Sequence, residues 1–289
     1  MSQSLLMTGA TGLVGSRFVE MYSDQYEIHN MDLTTGVDIT DKFSIEKFIT
    51  THPANTMIHL AAFTNMAVAF DQTDDKSGLC YQVNVDGTRN IAEVCKKHGI
   101  HLIHISTDFV FDGKLDRPYT EDDSTSSVEW YGKTKAIAEK IVTESETGYT
   151  IVRISYPYRK DFPDKPDLVK KIRSGLESGK LYPQFTDSTI TPTFIDDIAR
   201  GFDKAVQTKP QGIYHFTGST SLSPYELARK VAITYDFDPE LVKKGNLTEY
   251  LKLVTRPFAR HVAVSNAKAI QDLGLTFMTI DEGLSAITS

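Results

Sequence analysis

A doubly wound α/β fold is predicted: a parallel sheet covered on both faces, with a smaller, interleaved C-terminal lobe. Three observations lead there. Short apolar runs alternate with helix-period stretches through the first half of the chain. The first run closes on a glycine turn, Gly9-Ala-Thr-Gly12-Leu-Val-Gly15. Later runs end on small or polar residues, as at Ser106-Thr107-Asp108. Strict β–α alternation implies parallel strands, and in such sheets ligands sit beyond the carboxyl ends of the strands.

The elements follow in order. Leu5-Leu6-Met7-Thr8 reads as a strand and Val14 to Tyr22 as a helix. Strand, glycine turn and helix form the context of a dinucleotide fingerprint. Glycine lets the backbone approach a pyrophosphate closely, and the helix start offers free N–H groups. Here the spacing is G-x-x-G-x-x-G. A second strand, Glu27 to Met31, ends at Asp32, 20 residues after Gly12. An acid at that distance binds adenosine ribose hydroxyls or is a solvated loop residue. As a ribose ligand it repels a 2′-phosphate, and no cation follows in Leu33-Thr34-Thr35, which favours NAD over NADP. Thr56 to Ala62 reads as a buried strand, Val85 to His98 as a helix ended by Gly99, and His101 to Ile105 as the next strand. Trp130 to Glu144 is a helix and Thr150 to Ile154 a strand. After Tyr156 the pattern loosens into a segment rich in proline and charge. Helical stretches follow near Leu168–Leu176 and Pro224–Tyr235, and Gly212 to Phe216 returns as a strand. A nucleotide-binding domain of residues 1–155 plus about 192–217 is expected, with a substrate lobe of residues 156–191 and 218–289.

Composition narrows the classes. The chain has 289 residues, 40% hydrophobic, with a net charge of −7. A global nucleic-acid footprint is not expected at that charge. Cys80 and Cys95 provide neither a disulfide framework nor metal-ligand spacing. With no signal peptide and no membrane-spanning run, a cytoplasmic protein is expected.

Tyr131 and Lys135 stand at i and i+4 on an expected helix, where side chains share a face. A cation beside a phenol stabilises the phenolate. A shift from about 10 toward 7 would make the tyrosine an acid or base at neutral pH. With 13 tyrosines, one such spacing arises by chance, and Tyr156–Lys160 is a second instance that Pro157 keeps out of a helix. Thr107, 24 residues before Tyr131, ends a buried strand and can place its hydroxyl at a reacting oxygen; taken alone, it reads more readily as a strand or turn cap.

These residues resemble the extended short-chain dehydrogenase/reductase superfamily and, within it, the dTDP-4-dehydrorhamnose reductase family. The resemblance lies in Ser106-Thr-Asp-Phe-Val-Phe-Asp-Gly113, Pro118-Tyr-Thr-Glu121-Asp-Asp123 and Tyr131-Gly-Lys-Thr-Lys135-Ala-Ile-Ala-Glu139. Asp38-Ile-Thr-Asp41, Asn84, Thr191-Pro-Thr193, Gly212-Ile-Tyr-His215 and Arg256-Pro257 extend it over almost the whole chain. It implies a Rossmann-type domain with Thr107, Tyr131 and Lys135 as the catalytic set. It implies a cofactor path along Gly9, Thr11, Gly12, Leu13, Val14 and Gly15, then Asp32, with Asp38 and Ile39 at the adenine. The path continues past Leu60, Ala61, Ala62, Thr64 and Asn84 to Ser106, Tyr131, Lys135 and Tyr156. Thr107, Asp108, Phe109, Tyr156 and Arg256 would face the substrate, a nucleotide sugar of dTDP-rhamnose biosynthesis. NAD(H) is favoured and NADP(H) possible as cofactor, in a chain that can form a homodimer, with neither nucleic acid nor membrane as partner.

The implied reaction is NAD(P)H-dependent reduction of the C4 keto group of a nucleotide-linked deoxysugar. The dehydratases of this superfamily carry an acid where Phe109 stands, so dehydration is disfavoured. Departures border the expected substrate site: Asn65-Met-Ala-Val-Ala-Phe70 replaces Val-Asp-x-Ala-Glu, Tyr156 a tryptophan, Arg159 a glycine, and Ser127-Val-Glu129 a Pro-x-Asn. Substrate phosphates need cations, which Arg256 or Arg260 can supply unless both are solvated surface residues. Two alternatives stay open: an epimerase, or a non-catalytic regulatory subunit resembling the β subunit of methionine adenosyltransferase.

Overall fold

The computed structural model describes residues 3–163 and 165–288. Among these, six parallel strands make the central sheet: β1 Gln3–Thr8, β2 Tyr26–Asn30, β3 Thr56–His59, β4 His101–Thr107, β5 Tyr149–Ile154 and β6 Gly212–His215, in the order β2-β1-β3-β4-β5-β6. Its register runs Leu6 to Met57, His59 to His104 and Thr107 to Ile154. Chain direction across the sheet reverses between β1 and β3. The crevice of a doubly wound fold opens at such a switch point, here beyond Thr8 and His59.

Helices cover both faces. On one, α1 (Leu13–Tyr22) joins Ile195–Thr208 in a cluster centred on Phe18, Phe202 and Phe216. On the other, α2 (Lys42–Thr51) and α3 (Thr88–His98) bury Ile45, Ile49, Ile91 and Val94 against Leu6, Met57 and Leu102. Strand side chains alternate between faces, so Leu5 and Met7 enter the first core and Leu6 the second. A third cluster joins Leu168–Glu177, Pro224–Thr234 and Ile280–Thr288 through Ile172, Leu227, Val231 and Leu284. Ala269, Leu273, Leu275 and Phe277 return from the C-terminal part to the first core.

Two expected elements differ in extent. The strand expected over Thr56–Ala62 ends at His59, because its partner β1 ends at Thr8: Leu60 N still donates to the Thr8 carbonyl, but Ala61 N finds Thr8 Oγ1, both at 3.1 Å, where Gly9 turns away at φ +70°. The helix expected from Val85 begins as a π-turn, Gln82–Gly87, and becomes α-helical at Thr88. The widened turn carries Asn84, whose amide holds the loop after β3. Asn84 Oδ1 accepts from Phe63 N at 2.8 Å, and Nδ2 donates to the Phe63 carbonyl at 3.2 Å.

Candidate active site

The glycine turn is built to bring backbones together. Gly9 has φ +70°, and a Cβ there would stand 2.8 Å from Leu60 C and Ala61 N. Gly15 lies under the turn, where any Cβ would overlap the Gly9 carbonyl. At Gly12, the N-cap of α1, a Cβ would meet only Gly9 O, at 3.3 Å, and no side chain caps the helix. No side chain thus competes for the first N–H groups of α1, the groups that anion binding at a helix start uses. Asp32, just past β2, receives Gly9 N on one oxygen and Thr11 N and Oγ1 (3.3 and 3.1 Å) on the other. Both oxygens thus brace the turn and hold the carboxylate, still an anion, at the end of β2.

Along the rest of the expected cofactor path, Asp38 Oδ1 accepts from Thr40 N and Oγ1, and Asn90 Nδ2 holds the Ile39 carbonyl at 3.0 Å. Ala61, Ala62 and Thr64 line the loop after β3, and Thr64 Oγ1 accepts from Lys165 Nζ at 2.7 Å. A cavity of about 520 Å³ opens here between residues 62–67 and the side chains of Lys165 and Lys171. Ser106 faces inward with its hydroxyl buried and unpartnered.

The helix α4 (Trp130–Glu144) packs on β4, so Tyr131 and Lys135 are buried beside Thr107. The structure brings together the residues that the sequence placed 24 positions apart. Thr107 Oγ1 donates to Asp108 Oδ1 at 3.0 Å, and Ser155 Oγ to Asp108 Oδ2 at 2.7 Å. Burial pushes the Asp108 carboxyl up to about 7, against those two hydrogen bonds. Phe109 stands edge-on to Tyr131 at 5.9 Å and tilted to Tyr156 at 6.0 Å. Tyr156 has φ +39°, a conformation side chains rarely adopt, which aims its ring into the site rather than along β5. Pro157–Tyr158 continues as a short strand, so Tyr156 and Lys160 share no helix.

One electrostatic expectation is corrected. The sequence suggested a phenol depressed by Lys135. Instead burial, then the charges of Asp108 and Cys80, push the Tyr131 phenol above its ordinary range, opposed by a hydrogen bond from Thr107. The cation yields instead: burial brings Lys135 down to about 8, with Glu139 and Cys80 opposing. Its ammonium meets His104 Nε2 at 3.3 Å.

The sequence departures have partners. Glu129 takes Nε and one Nη2 proton of Arg256, so its carboxylate offsets the charge that Arg256 would offer a ligand. Arg260 bonds Asp187 and Thr248. Arg159 crosses to α1, bonding Ser16 at 3.0 Å and both Glu20 oxygens at 2.7 Å. His104 and Lys165 were not singled out from the sequence, and Glu129 only as a departure beside the expected substrate site; only the match of spacing around Thr107 signalled that β4 was special.

Comparison with known proteins agrees with this geometry. Residues 3–287 match the RmlD substrate binding domain. A dTDP-4-dehydrorhamnose reductase of Aggregatibacter actinomycetemcomitans is 31% identical over 83% of this chain and 80% of its own. A dTDP-4-keto-6-deoxy-D-glucose reductase of Streptomyces niveus is 30% identical over 84% and 82%. The crystal structure of a Bacillus anthracis dTDP-4-dehydrorhamnose reductase in complex with NADP superposes with a TM-score of 0.88 at 25% identity, covering 100% of this chain and 99% of that one. With its glycine turn, its buried Thr107–Tyr131–Lys135 group and these relatives, the chain belongs to the dTDP-4-dehydrorhamnose reductase family of extended short-chain dehydrogenase/reductases.

Proposed function

We propose that this protein reduces the C4 keto group of a dTDP-linked 6-deoxysugar with NADPH. The observation that carries the reading is the convergence of Thr107, Tyr131 and Lys135 at the carboxyl end of β4, on the sheet edge shared by the Gly9–Gly15 turn. The turn, with its tight Gly9 and uncapped α1 N-terminus, fits a dinucleotide pyrophosphate. A bound reduced nicotinamide supplies hydride to the carbonyl carbon. On substrate binding, Thr107 turns its one hydroxyl proton from Asp108 to the carbonyl oxygen and fixes its place. Tyr131 holds a proton firmly, since its phenol is raised, and releases it to the alkoxide as negative charge develops there. Lys135 stabilises the phenolate left behind and holds the nicotinamide ribose. Asp108 anchors Thr107, while Phe109 and Tyr156 form the apolar wall of the sugar site.

NADP(H) is preferred over NAD(H) in this reading, because the NADP-bound relative is alike over the full chain. The nucleotide part corresponds to residues 1–155 and 192–217. The substrate part corresponds to 156–191 and 218–289, with residues 269–277 packed back on the first core. Lys165 and Lys171, beside the cavity at Thr64, supply positive charge for the substrate's phosphates.

The test is a panel of dTDP-4-keto-6-deoxysugars with NADPH and NADH, following nicotinamide absorbance and the sugar product. Turnover with a 4-hydroxy product is expected. Cofactor binding without turnover of any keto-sugar supports the regulatory-subunit reading, and epimerisation with no net loss of NADPH supports the epimerase.

A further inference from the structure

Lys135 is 1% exposed, so its ammonium must find its acceptors inside the protein. The titratable groups around it come from several elements. On its own helix, Glu139 spends both carboxylate oxygens on Arg153 of β5, at 2.8 and 2.7 Å, and Tyr131 faces Thr107 and Asp108. The Cys80 thiol, from the turn before the π-turn, is shared with Thr134 and Asn84 at 3.7 Å each. His59, on β3, bonds Thr8 through Nδ1 at 2.7 Å and Thr88 through Nε2 at 3.2 Å, so neither nitrogen is free. His104, on β4, meets Lys135 through Nε2 at 3.3 Å, and its Nδ1 is buried with no partner.

That asymmetry is informative. A lysine ammonium only donates, so His104 Nε2 accepts and the ring proton lies on Nδ1. A buried N–H without a partner costs about 1–3 kcal/mol. An apolar side chain would avoid this cost, so what the imidazole contributes lies at Nε2. Burial together with the charge of Lys135 keeps His104 neutral, the form that can accept.

We propose that His104 is a positioning residue for the reaction: by accepting a hydrogen bond from the Lys135 ammonium, it keeps that side chain charged and fixes its direction beneath Tyr131. This builds on the reductase reading but is separable from it. Without the acceptor the buried ammonium loses its proton at lower pH, while the phenol and Thr107 are untouched.

The experiment compares wild type with His104→Leu, which has no acceptor, and His104→Gln, whose amide oxygen can accept. The titration of Lys135 is followed by nuclear magnetic resonance of isotope-labelled lysine, assigned with Lys135→Met. The kcat profile is measured from about pH 6 to about pH 9. In the leucine variant the Lys135 midpoint is expected to fall by about one pH unit, a hydrogen bond's worth. Its kcat should drop roughly fivefold near pH 8, approach a roughly tenfold drop near pH 9, and recover toward pH 6. Glutamine should restore both. A Lys135 midpoint unchanged in the leucine variant overturns the proposal, and so does a loss of kcat of equal size at every pH. If the leucine variant does not fold, His104→Met replaces it. Should wild type reduce no keto-sugar, the reductase reading fails, while the lysine titration still decides the role of His104.

Discussion

Acidification from pH 7 to pH 5 is expected to destabilise this fold, and the sign follows from which groups are buried neutral. His59 and His215 are held down to about 3 and His101 to about 4, from an ordinary 6.5, all chiefly by burial. A histidine with a depressed folded value takes up its proton more readily when unfolded. Its stabilising contribution is present above 6.5 and is lost as pH falls toward the folded value. At pH 5 each of the three has lost about 2 kcal/mol, or about 6 kcal/mol together. Asp108 acts oppositely. Its folded value of about 7 lies above the ordinary 3.8, so between pH 7 and pH 5 the folded state gains about 2 to 3 kcal/mol. The difference is a loss of about 3 kcal/mol. His104, also depressed, adds to the loss. Glu121, Glu129 and Asp197, all raised by burial, offset part of its share. For a chain of this size about 3 kcal/mol lowers Tm by roughly 6–12 °C. Urea unfolding at the two pH values, with thermal melts, measures it. His101→Gln, which keeps a partner for Thr150, should reduce the pH-dependent loss by about 2 kcal/mol. A midpoint equal or higher at pH 5 would refute the reasoning, because buried neutral histidines would then not dominate the acid limb.

Other perturbations probe the site directly. Tyr131→Phe should lower kcat by about 10²–10⁴-fold with little change in NADPH affinity, since only the proton donor is lost; wild-type kcat would remove Tyr131 from the mechanism. Gly15→Val places a branched Cβ against the Gly9 carbonyl and Ala10. Such overpacking costs about 1–3 kcal/mol and should weaken NADPH binding by calorimetry, an effect absent if the turn tolerates the shift. Glu139→Gln strips half of the buried pair with Arg153. A loss of about 3–5 kcal/mol is expected in chemical denaturation, and a change below about 0.5 kcal/mol, typical of a surface site, would mean that the pair is not energetically buried.

What could be read from the sequence alone was what short-range spacing controls. β–α alternation set the parallel sheet, because the period of apolar residues is a local property. The glycine turn was legible because only glycine accommodates Gly9 at φ +70° with Leu60 and Ala61 on top of it. Tyr131 and Lys135 were legible because a helix places residues four apart on one face. What only the tertiary structure decided were the partners. His104 meets Lys135 across 31 positions, Ser155 meets Asp108 across 47, Glu129 meets Arg256 across 127 and Arg159 meets Glu20 across 139. Each depends on strand order and lobe packing, which nearby residues do not encode. The sign of the Tyr131 shift belongs to the same class. A neighbouring lysine is visible in the sequence, but desolvation depends on everything that closes around the phenol, and here desolvation is the larger effect.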